Sequence, residues 1–306
     1  MSIPKVAVLL SSYNGELYIE QQVESILAQS GVLVTLYIRD DGSSDSTVKI
    51  VSDLAVKYPG IFFFPEKNIG LIKSFFDLLS RVGERFDYYA FADQDDFWLP
   101  DKIIAGARSL ASVNVAMPAM YCSRTEYVNA YLKHLSYSPL YNERKIGFGN
   151  ALVQNIATGC TIVLNAEARR LVVKKLPEKC LVHDWWIYLV VSAFGSVIYD
   201  DVSHIKYRQH GGNVIGASSS IMKNAINRTR RFFISWKESR TSLQIAEFGR
   251  IYSSELTSDQ VASVRLILSA RQGIWSRILL AFENFYWRQS LVDNFLLRIV
   301  ILTGRF

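Results

Sequence analysis

The sequence predicts an α/β fold, in which a mostly parallel sheet carries helices on both faces and a helical segment follows toward the C terminus. Short apolar runs alternate with segments of helical periodicity over residues 6–111, which is the spacing of strand–helix units. Polar side chains directly follow three of these runs, and ligands of such sheets bind beyond the carboxyl ends of the strands. Half of the 306 residues are apolar, so the chain can bury a substantial core.

The first 111 residues are predicted to form four strand–helix units. The apolar runs that we interpret as strands cover residues 6–10, 34–38, 61–64 and 88–92. Apolar residues recur at helical spacing in residues 17–27, 47–58, 71–82 and 101–111. The turn at residues 40–45 precedes the second helix, and Ser44 or Asp45 is its predicted N-cap.

The regular alternation ends near residue 112. Strands are predicted at 117–122 and 161–164, with a long loop over 123–150 between them. A helix over 185–193 and a last strand over 203–210 follow. Beyond residue 216 the chain has no proline and shows apolar residues at helical spacing, so this part is predicted to be helical.

Positive charge is concentrated toward the C terminus. Residues 221–306 contain 13 Lys and Arg against 6 Asp and Glu, a net charge of +7, while the whole chain carries +6. A basic segment attached to a nearly neutral remainder is typical of contact with an anionic surface, either lipid or nucleic acid. Solvated helical faces are the alternative interpretation.

The cysteines and the apolar segments favour a cytoplasmic protein. Cys122, Cys160 and Cys180 show neither a disulfide framework nor a metal-binding spacing, which suits a reducing compartment. The apolar part of residues 1–10 is too short for a signal peptide, and no window reaches the length of a membrane span.

An acidic cluster follows the fourth predicted strand directly. Asp93, Asp95 and Asp96 fall within four residues. Carboxylates this close repel one another unless they are solvated, protonated or bound to a cation. Hard oxygen ligands at the end of a strand suit Mg²⁺ or Mn²⁺ that holds a substrate phosphate. An ordinary turn ahead of a helix that opens at Asp101 is the alternative.

Three segments together resemble the family 2 glycosyltransferases in order and spacing. They are Val-Leu-Leu-Ser-Ser-Tyr-Asn-Gly at 8–15, Asp-Asp-Gly-Ser-Ser-Asp at 40–45, and Asp-Gln-Asp at 93–95 ahead of Trp-Leu-Pro-Asp-Lys at 98–102. His-Asp-Trp-Trp at 183–186 and Tyr-Arg-Gln-His-Gly-Gly-Asn at 207–213 are similar to the branch that builds bacterial surface polysaccharides, above all the rhamnosyltransferases.

This resemblance extends over about residues 6–213 and implies a GT-A fold, an inverting reaction and a divalent cation. The changes of pattern near residues 112 and 216 then divide the chain, and we predict a catalytic domain at 1–216, with a nucleotide-sugar half at 1–112 and an acceptor half at 113–216. Residues 217–306 would form a separate helical segment, and its basic, apolar composition suggests membrane association or oligomerisation.

The resemblance also implies roles for four acidic residues. Asp41 would accept the imide N–H of uracil or thymine, although an ordinary turn at Gly42 would suit Asp40 equally well. Asp95 would ligate the cation beneath the diphosphate, and Asp93 would face the ribose or the metal. Asp184 would be the general base, with a simple N-cap as the alternative. Asp96 is expected to brace the turn.

Other candidate residues rest on their position and side-chain chemistry. Ser11 and Tyr13 end the first strand, where a hydroxyl can bond a ribose or phosphate and a ring can lie against a base. Lys73 could neutralise phosphate or be a solvated surface residue. For His210, the resemblance to GT-A enzymes implies metal or phosphate contact, and an ordinary surface or core histidine is the alternative. Trp185 and Trp186 are candidate acceptor-binding residues, although core packing is the default for at least one of them.

The leading hypothesis is transfer of L-rhamnose from dTDP-L-rhamnose to a lipid-linked glycan at the inner face of the cell membrane. A galactosyl- or glucosyltransferase that uses a UDP-sugar is the alternative enzyme. A nucleic-acid-binding protein, suggested by the basic segment, is the alternative of another class, but no recognised binding motif accompanies the charge. Residues 274–306 have the composition of an interfacial membrane helix, and packing on a second subunit or on the catalytic domain would explain them as well.

Overall fold

The structure, a computed structural model, describes residues 3–210 and 240–306, and these fall into two compact units. The first unit contains the described residues up to 140 together with 157–176 and 194–210. The second contains 141–156, 177–193 and 240–306. The predicted domain boundary at 216 and the last residues of the 207–213 segment lie outside the described residues, and the predicted domain division stays a prediction.

The first unit is built on a mixed sheet. Among the described residues its strand order is β3-β2-β1-β4-β8-β6-β9-β5, with β7 paired to β6. The strands are β1 (Lys5–Ser12), β2 (Leu33–Asp40), β3 (Ile61–Pro65), β4 (Tyr88–Ala92), β5 (Phe97–Trp98), β6 (Ala119–Val128), β7 (His134–Tyr137), β8 (Val163–Asn165) and β9 (Ser196–Arg208).

The helices are divided between the two units. The first unit contains α1 (Ile19–Leu27), α2 (Thr47–Lys57), α3 (Leu71–Arg81), α4 (Lys102–Leu110) and α6 (Ala166–Lys174). The second contains α5 (Phe148–Ala151), α7 (His183–Phe194, apart from its last residue), α8 (Arg240–Tyr252), α9 (Ser258–Ser269), α10 (Ile274–Phe282) and α11 (Leu291–Leu302).

The predicted parallel half of the sheet is confirmed. β1 lies between β2 and β4, and β3 pairs with β2, all in parallel. Apolar side chains of β1 pack with those of α1, α2 and α4 in one cluster. On β4, the ring of Phe91 meets Phe75 of α3 edge to face at 5.8 Å. Both faces are therefore covered, which explains why these strands are nearly continuous apolar runs.

The predicted long loop over 123–150 is wrong in its first half. β6 continues to Val128 and β7 follows as its antiparallel partner. β9 begins at residue 196, not at 203, because it pairs in parallel with β6 from Ala119 onward. Pairing between segments so far apart in sequence satisfies backbone groups of polar residues, and local patterning does not reveal it.

Helix α6 was not predicted, although its capping residue is visible in the sequence. The Asn165 side chain accepts a hydrogen bond from the backbone N–H of Ala168 at 2.9 Å, which is the usual N-cap arrangement. The short strand β5 was also missed. Its two residues pair with Lys206 and Ile205 of β9, more than a hundred positions away.

The second unit is helical in its described part. Trp186 of α7 is fully buried there and packs against Phe248 and Tyr252 of α8, with ring centroids 6.2 and 6.4 Å away. A Thr257 and Gln260 capping box begins α9. No helix of the described residues is both long enough and apolar enough to cross a membrane.

Two buried histidines have pKa values shifted in opposite directions. Burial lowers the pKa of His183, at the start of α7, to about 3. The carboxylates of Asp200 and Asp101 raise the pKa of His204, whose Nε2 and Nδ1 lie 3.3 and 3.1 Å from them. His183 is therefore neutral in the folded protein near pH 7, whereas His204 favours its charged form.

We predict that His183→Gln makes stability less sensitive to acid. Between a pH of about 3 and the unfolded pKa of about 6.5, the unfolded chain binds one more proton at residue 183 than the folded chain, so wild-type stability falls as the pH falls. The contribution approaches about 1.4 kcal/mol per pH unit. Denaturant unfolding between about pH 4 and about pH 7 should give a flatter profile for the variant.

His204→Gln is the control of opposite sign. Because the folded pKa of His204 is raised, its stabilisation is complete below the unfolded pKa and is lost as the pH rises through the folded value. Replacement of His204 should change how stability depends on pH above about pH 6.5. The loss of stability at acidic pH should stay as in the wild type. Identical acid limbs in wild type and His183→Gln would contradict the prediction.

Candidate active site

The loop after β1 is joined to the acidic loop after β4 by one side chain. The amide of Gln94 accepts the backbone N–H of Tyr13 at 2.8 Å and donates to the Tyr13 carbonyl at 3.1 Å. The Tyr13 side chain is half exposed, and the buried Ser11 hydroxyl lies 2.6 Å from that of Ser74 in α3. Gln94 was not among the predicted site residues, since a Gln between two Asp residues carries no specific signal.

The two adjacent acids after β2 have different partners. The Asp40 carboxylate accepts the backbone N–H of Ser43 at 2.8 Å and that of Gly42 at 3.1 Å, so Asp40 is the turn-forming residue. Gly42 has a φ of +82°, and an added Cβ would lie 3.0 Å from the backbone nitrogen of Asn68. This turn therefore needs glycine, and it leaves Asp41 for another role.

Asp41 is buried and faces the loop before α3. Its carboxylate is ion-paired with Arg39 and accepts the backbone N–H groups of Ile69 and Gly70, each at 2.8 Å. The buried Arg39 also lies 3.2 Å from Asp77 of α3. Asp41 therefore has a fixed orientation. Recognition of a base by Asp41 stays a prediction, as does a phosphate role for Lys73, which is exposed in the first turn of α3.

Asp95 and His210 are brought together by the fold. Nε2 of His210, two residues beyond the end of β9, lies 2.7 Å from Oδ2 of Asp95, and both side chains are partly accessible. The ring of Tyr18 lies 5.0 Å from the His210 ring. A carboxylate oxygen and an imidazole nitrogen at one point form a donor set that suits Mn²⁺ and related divalent cations.

Asp96 has a structural role, as expected from the sequence. It is fully buried, and one carboxylate oxygen accepts the backbone N–H of Arg208 in β9 at 3.2 Å. Burial, together with the charges of Asp93 and Asp95, raises the pKa of Asp96 well above its ordinary value. The hydrogen bond braces the loop against β9, and the raised pKa favours the neutral form of the Asp96 carboxyl group.

A second cluster of potential ligand atoms involves Cys160. One ligand atom from each of Asp93, Asp96 and Cys160 lies within 4.8 Å of the others. Burial raises the pKa of the Cys160 thiol well above its ordinary value, as it does for Asp96. A cation at this cluster would have to displace the proton of a buried thiol, whereas Asp95 and His210 are partly accessible.

In the second unit, Asp184 occupies the first turn of α7 and is partly buried. Its Oδ1 accepts the backbone N–H of Trp185 at 2.6 Å. The Trp185 indole donates to the carbonyl of Ala151 at 2.7 Å and is partly accessible. Trp186, the other candidate for acceptor binding, is fully buried against aromatic rings, so only Trp185 keeps a ring surface for a sugar. The hydrogen bond from the Trp185 backbone holds the Asp184 carboxylate in one orientation.

Comparisons with known proteins agree with these features. The sequence profile described as Glycosyl transferase family 2 matches residues 7–175. The dTDP-rhamnosyl transferase RfbG of Shigella flexneri is 29% identical over 229 residues, which are 69% of this chain and 75% of that protein. This chain spans 60% of the length of several further relatives that are 25% identical to it.

Two solved structures share the fold. The fragment 1–349 of S. aureus TarS, in complex with UDP-GlcNAc, superposes with a TM-score of 0.57 at 16% identity, over 87% of this chain and 70% of that one. The mannosyltransferase PcManGT from Pyrobaculum calidifontis, in complex with GDP-Man and Mn²⁺, gives 0.52 at 12% identity, over 100% and 88%. They confirm the predicted GT-A fold. With the profile match over more than half of its residues, this chain belongs to the family 2 glycosyltransferases.

Proposed function

We propose that this glycosyltransferase is inverting and cation-dependent and that it transfers L-rhamnose from dTDP-L-rhamnose to a lipid-linked glycan of bacterial surface polysaccharide synthesis, for O-antigen, capsule or cell wall. The observation that carries the proposal is the 2.7 Å contact between Asp95 and His210 beyond the carboxyl ends of the strands. The likeness to a dTDP-rhamnosyl transferase supports the donor.

Asp95 and His210 would hold the cation. A bound divalent cation would stabilise the negative charge that develops on the departing nucleoside diphosphate. The chemistry of the two donor atoms supports this assignment, and a structurally similar mannosyltransferase is in complex with Mn²⁺. We propose Mg²⁺ or Mn²⁺ as the ion.

The nucleoside would be bound by residues at the ends of β1 and β2. Asp41 would accept the imide N–H of thymine or uracil, because its carboxylate is an acceptor held in place by Arg39. Tyr13 and Ser11 would contact the base and the ribose, Asp93 the ribose, and Lys73 the phosphates. The half-exposed ring of Tyr13 supports its part.

Asp184 would act as the general base. Inverting transfer requires a group that takes the proton of the acceptor hydroxyl while its oxygen attacks the anomeric carbon from the face opposite the diphosphate. The hydrogen bond from the Trp185 N–H orients the Asp184 carboxylate. Trp185 would supply an apolar surface for the acceptor sugar.

A UDP-sugar donor is the alternative, since TarS was solved with UDP-GlcNAc and both thymine and uracil present an imide N–H. Nucleic-acid binding by the basic residues is an alternative of another class. Thermal-shift measurements with dTDP and UDP, each with and without Mn²⁺, and with a short DNA distinguish the three. The proposal requires stabilisation by dTDP that depends on Mn²⁺, and stabilisation by DNA alone would contradict it.

We also propose a peripheral contact with anionic membrane through α10 and α11. Their large apolar side chains Trp275, Phe282 and Leu291 are 77%, 76% and 79% exposed. Arginines of the same segment, such as Arg277 and Arg298, would each contribute about 1 kcal/mol next to anionic lipid. Such a contact would bring the enzyme to a lipid-linked acceptor at the cytoplasmic face of the membrane, whereas a homo-oligomer would cover the same side chains with a second copy.

We predict that Asp184→Asn abolishes transfer and leaves nucleotide binding nearly intact, because the amide keeps the shape of the side chain and cannot accept a proton at neutral pH. The rate should fall by about 10²- to 10⁴-fold. Single-turnover kinetics and calorimetry with the nucleotide measure the two effects. Retained turnover would exclude Asp184 as the base, and NMR of the product should show an inverted anomeric configuration.

We predict that Asp95→Ala removes the dependence of donor binding on metal, since it deletes the carboxylate beside His210. Calorimetry of nucleotide binding with and without Mn²⁺ measures this dependence. Asp96→Ala is the control at the neighbouring carboxylate, and its buried position predicts lower stability with metal-linked binding preserved. Unchanged metal-linked affinity in Asp95→Ala would overturn the assignment of the ligand.

We predict that Trp275→Glu combined with Phe282→Glu abolishes flotation with anionic liposomes at low salt. Val56→Glu, at an 89% exposed position of α2, is the matched control and should still float. Substitution is preferable to deletion of residues 274–306, because the deletion would also remove Trp287. The indole N–H of Trp287 donates a hydrogen bond to the Lys145 carbonyl at 2.7 Å. If the wild type stays in the soluble fraction and light scattering shows an oligomer, the apolar surface is a subunit interface.

A further inference from the structure

Arg208 is a buried cation behind the Asp95 and His210 pair, and no predicted role accounts for it. It lies at the end of β9 and is 2% exposed. Its Nε donates to the Asp95 carbonyl at 2.8 Å, and a terminal nitrogen donates to Oε1 of Gln21 in α1 at 2.6 Å. The other terminal nitrogen donates to the carbonyl of Ala130. One guanidinium thus joins three segments of the first unit.

The ring of Tyr18 extends this arrangement to the imidazole. The Arg208 guanidinium lies 4.4 Å from the centre of the Tyr18 ring, within the range of a cation–π contact. The same ring lies 5.0 Å from the ring of His210. Arg208 therefore contacts the backbone of one proposed ligand and the ring that packs against the other.

Burial of this cation has a cost that its contacts must offset. Desolvation lowers the pKa of Arg208, because removal from water disfavours the charged form. A stabilising role alone would be served as well by apolar packing, since buried charges contribute little to stability on balance. The planar guanidinium has several N–H donors and can fix the relative positions of its three acceptors, on Asp95, Ala130 and Gln21. An apolar side chain cannot do this.

We propose that Arg208 is a positioning residue that holds Asp95 and His210 at the separation needed to bind the cation of the nucleotide complex. This rests on the proposed function, in which those two residues are the ligands. Partners that orient metal ligands typically contribute about 10- to 100-fold to metal affinity. Arg208→Lys keeps the positive charge, but its single ammonium group cannot reproduce the fork.

The test is the affinity of the protein for Mn²⁺ in the presence of dTDP or UDP, whichever nucleotide the wild type binds. The electron paramagnetic resonance signal of free Mn²⁺ measures this affinity. We expect Arg208→Lys to weaken Mn²⁺ binding by about tenfold or more. This readout needs no turnover. If the wild type binds no Mn²⁺ with either nucleotide, the proposed cation site itself fails, whereas equal binding by wild type and Arg208→Lys overturns only the positioning role.

Arg169→Lys is the matched control in the same unit. Arg169 is also buried, donates to the carbonyls of Leu79 and Ser80, and lies 5.7 Å from the ring of Tyr89. Both variants should lower the midpoint of thermal unfolding, but only Arg208→Lys should weaken Mn²⁺ binding. Equal weakening in Arg169→Lys would show that lost stability is the cause and would overturn the proposal.

Gln21→Met decides the question if Arg208→Lys does not fold. Gln21 is exposed, so its replacement removes one acceptor of the guanidinium without disturbing the core. The variant should fold as the wild type does and should weaken Mn²⁺ binding in the same direction, by a smaller factor. Unchanged Mn²⁺ affinity in folded Gln21→Met, with Arg208→Lys unfolded, would overturn the positioning role.

Discussion

The parallel pairing of β1 with β2 and with β4 is the constraint on which the rest of the first unit depends. Its register places Ser12 beside Asp40 and Leu10 beside Ala92, so the strands β1, β2 and β4 end at one edge of the sheet. Residues 6–10 of β1 are fully buried. A shift by one residue would exchange the two faces of β1, and the side chains of residues 6–10 would no longer fit the closely packed cores on either side. The loops beyond these ends therefore start from fixed positions.

In the loops beyond the sheet, side chains form the hydrogen bonds to backbone groups that neighbouring strands form within the sheet. Gln94 satisfies both backbone groups of Tyr13, and Asp41 satisfies two backbone N–H groups of the loop before α3. Arg208 does the same for carbonyls of Asp95 and Ala130. Loops with backbone groups held in this way lose little entropy when a ligand binds, because their conformations are fixed beforehand. The segments that follow β1, β2, β3, β4 and β6 are thus held by side-chain hydrogen bonds.

Local signals in the sequence predicted the βα units, because each unit depends on periodicity and turn residues within about thirty positions. They failed for β5, for the start of β9 and for β7, whose formation depends on pairing with distant strands. The contact of Asp95 with His210 spans 115 positions, so no local pattern predicts that these two residues meet. The roles of Gln94 and Arg208 have no local signature, since hydrogen bonds to backbone groups impose no residue spacing.

In the acidic loop, two adjacent carboxylates have different chemical environments. Asp96 is buried where it braces β9, and burial beside the other carboxylates raises its pKa, which favours the neutral form. Asp95 meets an imidazole at the accessible side, and its backbone carbonyl accepts from a buried guanidinium. The loop therefore carries less negative charge than its sequence implies, which reduces the repulsion that an incoming diphosphate would meet. Protonation of one carboxylate and a buried cation behind another make an acidic segment compatible with an anionic substrate.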